Sequence, residues 1–308
     1  LISLGGLAFN IGNIGGASMG LNIVFGIDTT TAAAISGILG ILLFASPKMG
    51  GVLDNTAKVL GTVMLVLIGY VAFSTNPPVA EAATHAIVPT NYPWLATITL
   101  IGGTVGGYIT FSGGHRLIDA GITGREHLKD VRRAAFMGMS VDAIVRILLF
   151  LAVLGVVSMG FALDPKDPAG SAFLLGAGEI GHKLFGIVFF CAALTSVVGA
   201  AYTSVSFLKT LFKVVERYEK LTIMAFIFVS TCILIFIGKP ATLLIVAGSV
   251  NGLILPVTLA VMLLATRKTN IVGDYKHNPI LFYTGWIVVL VTAYIGVTSL
   301  QGIAKLLG

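Results

Sequence analysis

Long apolar stretches, separated by short clusters of charged, glycine and proline residues, recur along the whole chain. A helix that crosses a bilayer needs about 20 mostly apolar residues, because the hydrocarbon layer is about 30 Å thick and each helical residue rises about 1.5 Å. Nine runs fit that description, at 1–26, 29–46, 51–74, 94–112, 134–162, 184–208, 221–238, 241–266 and 280–304. The pattern predicts an all-α, polytopic transmembrane bundle of nine helices, forming one domain over residues 1–308. Two connections are distinctive. Residues 75–93 hold Pro77, Pro78, Pro89 and Pro93 and no Lys or Arg, which predicts an extended external loop. Residues 164–183 also read as external, with Phe173, Leu174 and Leu175 placed at the membrane interface.

Charge supports this division. If the first run starts on the cytoplasmic side and each run crosses once, the cytoplasmic connections hold 14 Lys and Arg residues and the outer ones 4, with Arg146 inside a span. Basic residues kept inside are the usual rule. The expectation is a multi-pass protein of the cell membrane with its first residue on the cytoplasmic side.

Composition narrows the function. Hydrophobic residues make up 56% of the chain and charged residues 10%, with a mean hydropathy of +0.99. A soluble domain carries about 25% charged residues, so the partner of this surface is lipid. The net charge of +6 sits at the ends of the runs, which argues against nucleic acid as a partner. Cys191 and Cys232 lie inside apolar runs and offer neither a disulfide framework nor metal-ligand spacing. No P-loop, HExxH, nucleophile elbow or dinucleotide fingerprint occurs, so neither an enzyme nor a bound cofactor is expected. Transport driven by an ion gradient, or by the solute's own, fits better. The chain opens on Leu1 within an apolar stretch, and further residues are expected upstream.

The fourth run carries the strongest local signal. From Leu100 to His115 it holds six glycines in sixteen residues, each disfavouring helix by about 1 kcal/mol. Backbone that leaves the helix inside a bilayer is tolerated only where protein or a wet cavity satisfies it, and transporters place such breaks at the bound solute. The expected interruption runs from Gly106 to Gly114. Gly107, Tyr108, Ile109, Thr110, Phe111 and Ser112 are the substrate-binding candidates, with Thr110 and Ser112 as possible oxygen ligands of a metal. The alternative is that these glycines only allow close helix packing.

Other polar groups inside the runs add candidates. Asn10 and Asn13 lie three apart and share one helical face, either lining a wet path or bonding between helices. Asn251 stands near Pro256, whose missing amide proton frees a carbonyl, and has the same two readings. Asp142 and Arg146, four apart, are ion-pathway candidates or a self-neutralised pair. His115, at the end of the broken run, either relays protons or caps a half-helix.

Several of these stretches resemble the NRAMP family of divalent-metal transporters, which have a LeuT-type fold. Phe9 to Gly16 with Leu21 to Gly26 is similar to the family's third helix, and the broken run through Arg125 to its sixth. Ala193 to Ser196 is similar to the eighth helix, and Asn251 to Pro256 to the tenth. In order and spacing the resemblance covers essentially the whole chain. It implies that the nine runs are the family's third to eleventh helices and that the first two, with an Asp-Pro-Gly-Asn metal motif, lie upstream. It also implies two departures. Asn10 and Asn13 stand where the family carries acidic residues for proton transfer, and an amide does not titrate near neutral pH. The family's Met-Pro-His motif is replaced within Tyr108 to His115, and losing a thioether favours harder cations such as Mg²⁺ or Mn²⁺.

The function so implied is secondary transport of a divalent cation of the Mg, Mn or Fe class by alternating access, with the site at residues 100–115. Two rivals stay open: a transporter of the same fold for a small organic solute, favoured by the scarcity of acids in the spans, and a non-transporting membrane subunit. Nothing in the sequence sets the oligomeric state.

Overall fold

In the computed structural model, the backbone is described for residues 2–307, and side chains for these except 47–54, 57, 58, 107–110, 119, 301, 303 and 305–307. The described backbone folds into thirteen helices: α1 (Ile2–Phe25), α2 (Thr29–Ala45), α3 (Pro47–Ser74), α4 (Val79–Ile87), α5 (Trp94–Val105), α6 (Gly107–Asp119), α7 (Leu128–Ser158), α8 (Pro168–Lys209), α9 (Lys213–Arg217), α10 (Glu219–Ile237), α11 (Pro240–Ala265), α12 (Thr269–Val272) and α13 (Pro279–Leu307). Each of the nine apolar runs falls on one long helix, except the fourth, which is divided between α5 and α6.

Among the described residues, five helices are long and apolar enough to cross a bilayer alone, and two sharply bent pairs raise the total to seven. The nine crossings expected from the sequence exceed that number for a simple reason. At about 1.5 Å per residue, α2 reaches only about 26 Å and α5 about 18 Å. Between α1 and α2 the bend is 117°, so α2 folds back toward α1 instead of extending it. Asp28 fixes this corner by accepting hydrogen bonds from the amides of Thr30 and Thr31, each 3.0 Å. Bonds from the Thr31 hydroxyl and amide hold its carboxyl below the usual carboxylate range, as suits an anion at a helix N-terminus.

Two packed cores share α8. One joins α1, α2, α8, α10 and α11 through Ile14, Ala33, Val197, Ile227 and Leu243. The other joins α3, α7 and α8 through Ile68, Val71, Val156, Phe173 and Phe185. Gly178, at φ +67°, lets α8 kink between its two halves, a backbone shape that a side chain resists. That kink accounts for one correction. Phe173, expected at the membrane interface, is only 1% exposed and stacks on Phe185 with ring centres 4.6 Å apart.

The connection at 75–93 also differs from expectation. It contains a helix, α4, where an extended loop was predicted. Between the prolines runs Ala-Glu-Ala-Ala-Thr-His-Ala, rich in helix formers, with Pro78 at the N-cap and Glu81 in the first turn. Proline marked the ends of this segment, not its interior. Elsewhere, large apolar side chains such as Phe73, Phe136 and Phe236 are 70–88% exposed. On a water-soluble protein these would be liabilities, whereas on a bundle in lipid they are the solvent-facing surface.

Candidate functional site

The helix break is real, and narrower than the glycine count suggested. Gly106 alone leaves the helix, with φ −51° and ψ 158°, serving as C-cap of α5 and N-cap of α6. Residues 107–114, expected to be unwound, have helical backbone. Gly113 and Gly114 show why: nothing lies within 4 Å of a methyl built on either, so no neighbour forces them out of the helix. At Gly106, by contrast, such a methyl would meet the Gly102 carbonyl and lie 2.7 Å from Asn251 Cβ.

One residue therefore brings two helix ends together. Here the partial negative end of one helix meets the partial positive end of the other. A cation finds the carbonyl end of α5 favourable.

Beside this break stands Asn251, fully buried on α11. Its Nδ2 donates to the Gly5 carbonyl at 3.2 Å and the Ala247 carbonyl at 3.0 Å. Its Oδ1 is buried without a partner among the described residues. Most buried polar atoms are hydrogen-bonded, and an orphaned acceptor points to a missing donor or cation. Just below, α5 and α11 meet closely. A methyl on Gly102 would strike the backbone of Gly248 and Gly252, one on Gly248 would lie 2.8 Å from the Thr99 carbonyl, and one on Gly252 2.5 Å from that of Ile98. The Thr99 and Ser249 hydroxyls bridge the two helices at 2.8 Å. Small residues allow such close backbone approach in membranes.

The structure disperses the other candidates. Asn10 is fully buried, but its Nδ2 donates to Ser230 Oγ on α10 at 3.1 Å, and its Oδ1 lacks a partner among the described residues. The Asn13 Nδ2 is likewise buried and without a partner among the described residues. Both amides therefore keep unspent hydrogen-bonding capacity inside the bundle. His115 Nε2 lies 2.7 Å from Ser206 Oγ, with its ring stacked on Phe207 at 4.4 Å between centres. It thus bridges α6 to α8.

Asp142 and Arg146 form their pair at 2.8 Å, with side chains 46% and 41% exposed. They stand on a flank of α7, which packs on α3 and α8. The structure does not bring them to the break.

The candidates after the break need a finer account. The side chains of Gly107, Tyr108, Ile109 and Thr110 lie outside the described residues. Phe111 and Ser112 are half-buried, but Ser112 follows Gly106 by six residues, about 9 Å along a helix. Among the described residues, the Gly102 carbonyl and the Asn251 side chain lie at the break, whereas the Ser112 hydroxyl is set further along α6. Among the described residues no group of three or more His, Cys, Asp or Glu side chains is arranged to hold a metal.

Ser230, Ser206 and Thr99 were not picked out from the sequence. Their partners lie 220, 91 and 150 residues away. The only local sign is that Ser230 and Thr99 back-bond to carbonyls one turn earlier, as hydroxyls in apolar helices commonly do.

Comparison with known proteins agrees with this architecture. The sequence profile of the Nramp family, described as natural resistance-associated macrophage protein-like, matches residues 1–301. An uncharacterized membrane protein of Haemophilus influenzae is 51% identical over 293 residues, covering 95% of this chain and 74% of that protein. The uncharacterized membrane protein YcsG of Bacillus subtilis is 50% identical over 300 residues, covering 97% and 74%. Among solved structures, the Eremococcus coleocola manganese transporter bound to an aromatic bis-isothiourea compound superposes with a TM-score of 0.65 at 15% identity, over 99% of this chain and 70% of that one. Two mutants of that transporter match equally well, with 98% of this chain covered.

Proposed function

The chain belongs to the Nramp family, and from that premise we propose that it moves a divalent cation, of the Mg, Mn or Fe class, by alternating access. As a member of that family it is an all-α membrane transporter of LeuT-type fold and not an enzyme. The cation is received where α5 gives way to α6. The observation that carries this reading is the pairing of a one-residue helix break at Gly106 with Asn251, whose Cβ packs against that break and whose Oδ1 is buried without a partner among the described residues. Carbonyl and amide oxygens suit hard cations such as Mg²⁺ or Mn²⁺, which take oxygen ligands and retain some of their water.

Thr110 and Ser112, on the first turns of α6, serve the path into the site, and Asn10 and Asn13 line it without carrying charge. An amide cannot shuttle a proton near neutral pH, so α1 supplies no titratable carrier at these positions. His115 is the proton-pathway candidate that remains. The protein acts as one domain in the plasma membrane, with its first residue on the cytoplasmic side.

The full-length protein, reconstituted in liposomes, is expected to admit Mn²⁺ or Mg²⁺ as read by a trapped dye. Indifference to every divalent ion tested would reject the cation. Replacing Thr110 and Ser112 together by alanine is expected to slow the flux several-fold, and an unchanged flux would remove both from the path.

A second reading has one observation in its favour. Within the described spans Asp142 is neutralised by Arg146, so the chain itself brings little negative charge to compensate a divalent cation. A transporter of the same fold for a small organic solute would need less. Binding of such a solute, with no metal flux, would support it.

A further inference from the structure

Away from the break, the structure has an open groove of about 990 Å³ where the connection after α6 enters α7. Arg125, Lys129, Arg132 and Arg133 line one end of it. Phe136, Met139 and Leu281 line the other, with Tyr275 from the α12–α13 connection contributing to the wall. The positions on α7 follow helical spacing: Arg132, Phe136 and Met139 stand at i, i+4 and i+7, forming one stripe that changes from cationic to apolar along the helix axis. The change falls at the membrane boundary, because the apolar run of α7 begins just after Arg133.

The four cations are exposed, and among the described residues none makes an ion pair. The nearby carboxylates Glu126, Asp130 and Asp274 do not line the groove. Phe136 and Met139 are 70% and 60% exposed. A soluble anion would satisfy the first end and leave the second bare. Acyl chains alone would leave the charges uncompensated.

We propose that this groove holds one anionic phospholipid, its phosphate among Arg125, Lys129, Arg132 and Arg133 and its acyl chains along Phe136, Met139 and Leu281. Basic pockets at the ends of spanning helices recognise anionic headgroups in this way. The site is separate from the proposed cation path, since α7 packs on α3 and α8. It therefore stands or falls independently of the transported substrate.

The test counts lipid on the purified protein by native mass spectrometry. Delipidated protein in neutral detergent is titrated with phosphatidylglycerol, phosphatidylcholine or inorganic phosphate. Wild type is expected to retain one phosphatidylglycerol in preference to phosphatidylcholine, and millimolar phosphate should not displace it. Arg132→Gln with Arg133→Gln should weaken retention about 30-fold, on the basis of roughly 1 kcal/mol for each basic side chain near a membrane surface. Phe136→Ala with Met139→Ala should weaken it while keeping the anionic preference. Lys166→Gln with Lys239→Gln, outside the groove, should leave it unchanged. Equal retention of both lipids by wild type, or full retention by the arginine double variant, would overturn the proposal. Displacement by phosphate would reassign the groove to a soluble anion. Should the double variant fail to fold, the wild-type lipid preference and its resistance to phosphate decide the question alone.

Discussion

Gly102→Ala is expected to destabilise the protein severely, while Gly103→Ala, one residue along the same helix, leaves it unharmed or slightly stabilised. The methyl at residue 102 has nowhere to go, because it would run into the backbone of Gly248 and Gly252 on α11, and backbone cannot swing aside as a long side chain can. Overpacking a tight interior usually costs about 1–3 kcal/mol. With the backbone of α11 at two successive points as the obstacle, the upper end or more is expected. Around Gly103 nothing lies within 4 Å of the added methyl. There the helix gains up to about 1 kcal/mol in propensity. Thermal unfolding of the two variants in one detergent measures the difference directly. Similar melting temperatures would mean that α5 and α11 are not in backbone contact.

Asn251→Leu is the second large effect, and it falls on transport more than on stability. Leucine keeps the branched skeleton of asparagine with two bulkier methyl groups, but neither donates to Gly5 and Ala247 nor offers an oxygen beside the break. The two carbonyls lose a shared side-chain donor, a moderate loss, because one of them, that of Ala247, also lies within α11 itself. The oxygen is the larger matter. An acceptor facing a charged partner is worth about 1.5–3 kcal/mol, so cation flux at low concentration should fall about 10- to 100-fold. Asn251→Asp, which keeps the oxygen and adds charge, is expected to retain transport and shift ion preference. If Asn251→Leu transports normally, the orphaned oxygen is filled by something other than the cation.

The sequence disclosed the helices well and their meetings poorly. Every apolar run but the fourth became a single helix, because the run length is itself the physical requirement for crossing lipid. The break between α5 and α6 was visible as a glycine cluster, yet composition could not say which glycine would yield. Gly113 and Gly114 carry the same intrinsic weakness as Gly106, but of these three only Gly106 is pressed against another helix. Asn10 and Asn251 drew notice as amides in an apolar setting. That Asn10 would meet Ser230, and His115 would meet Ser206, depends on contacts across most of the chain that no local pattern records. Phe173 and α4 were misplaced for a related reason: the prolines and charges around them resemble loop punctuation, whereas Gly178 and a run of helix formers between prolines decided the geometry.

The glycine seam also sorts the two limbs by their freedom. With less than a methyl's width between α5 and α11, the limb ahead of Gly106 is held as a fixed wall. The limb behind it begins at a residue that has already abandoned helical geometry, and its farther reach rests on α8 through the imidazole of His115. Under the proposed alternating access, displacement is expected on the later limb, with Gly106 as its pivot.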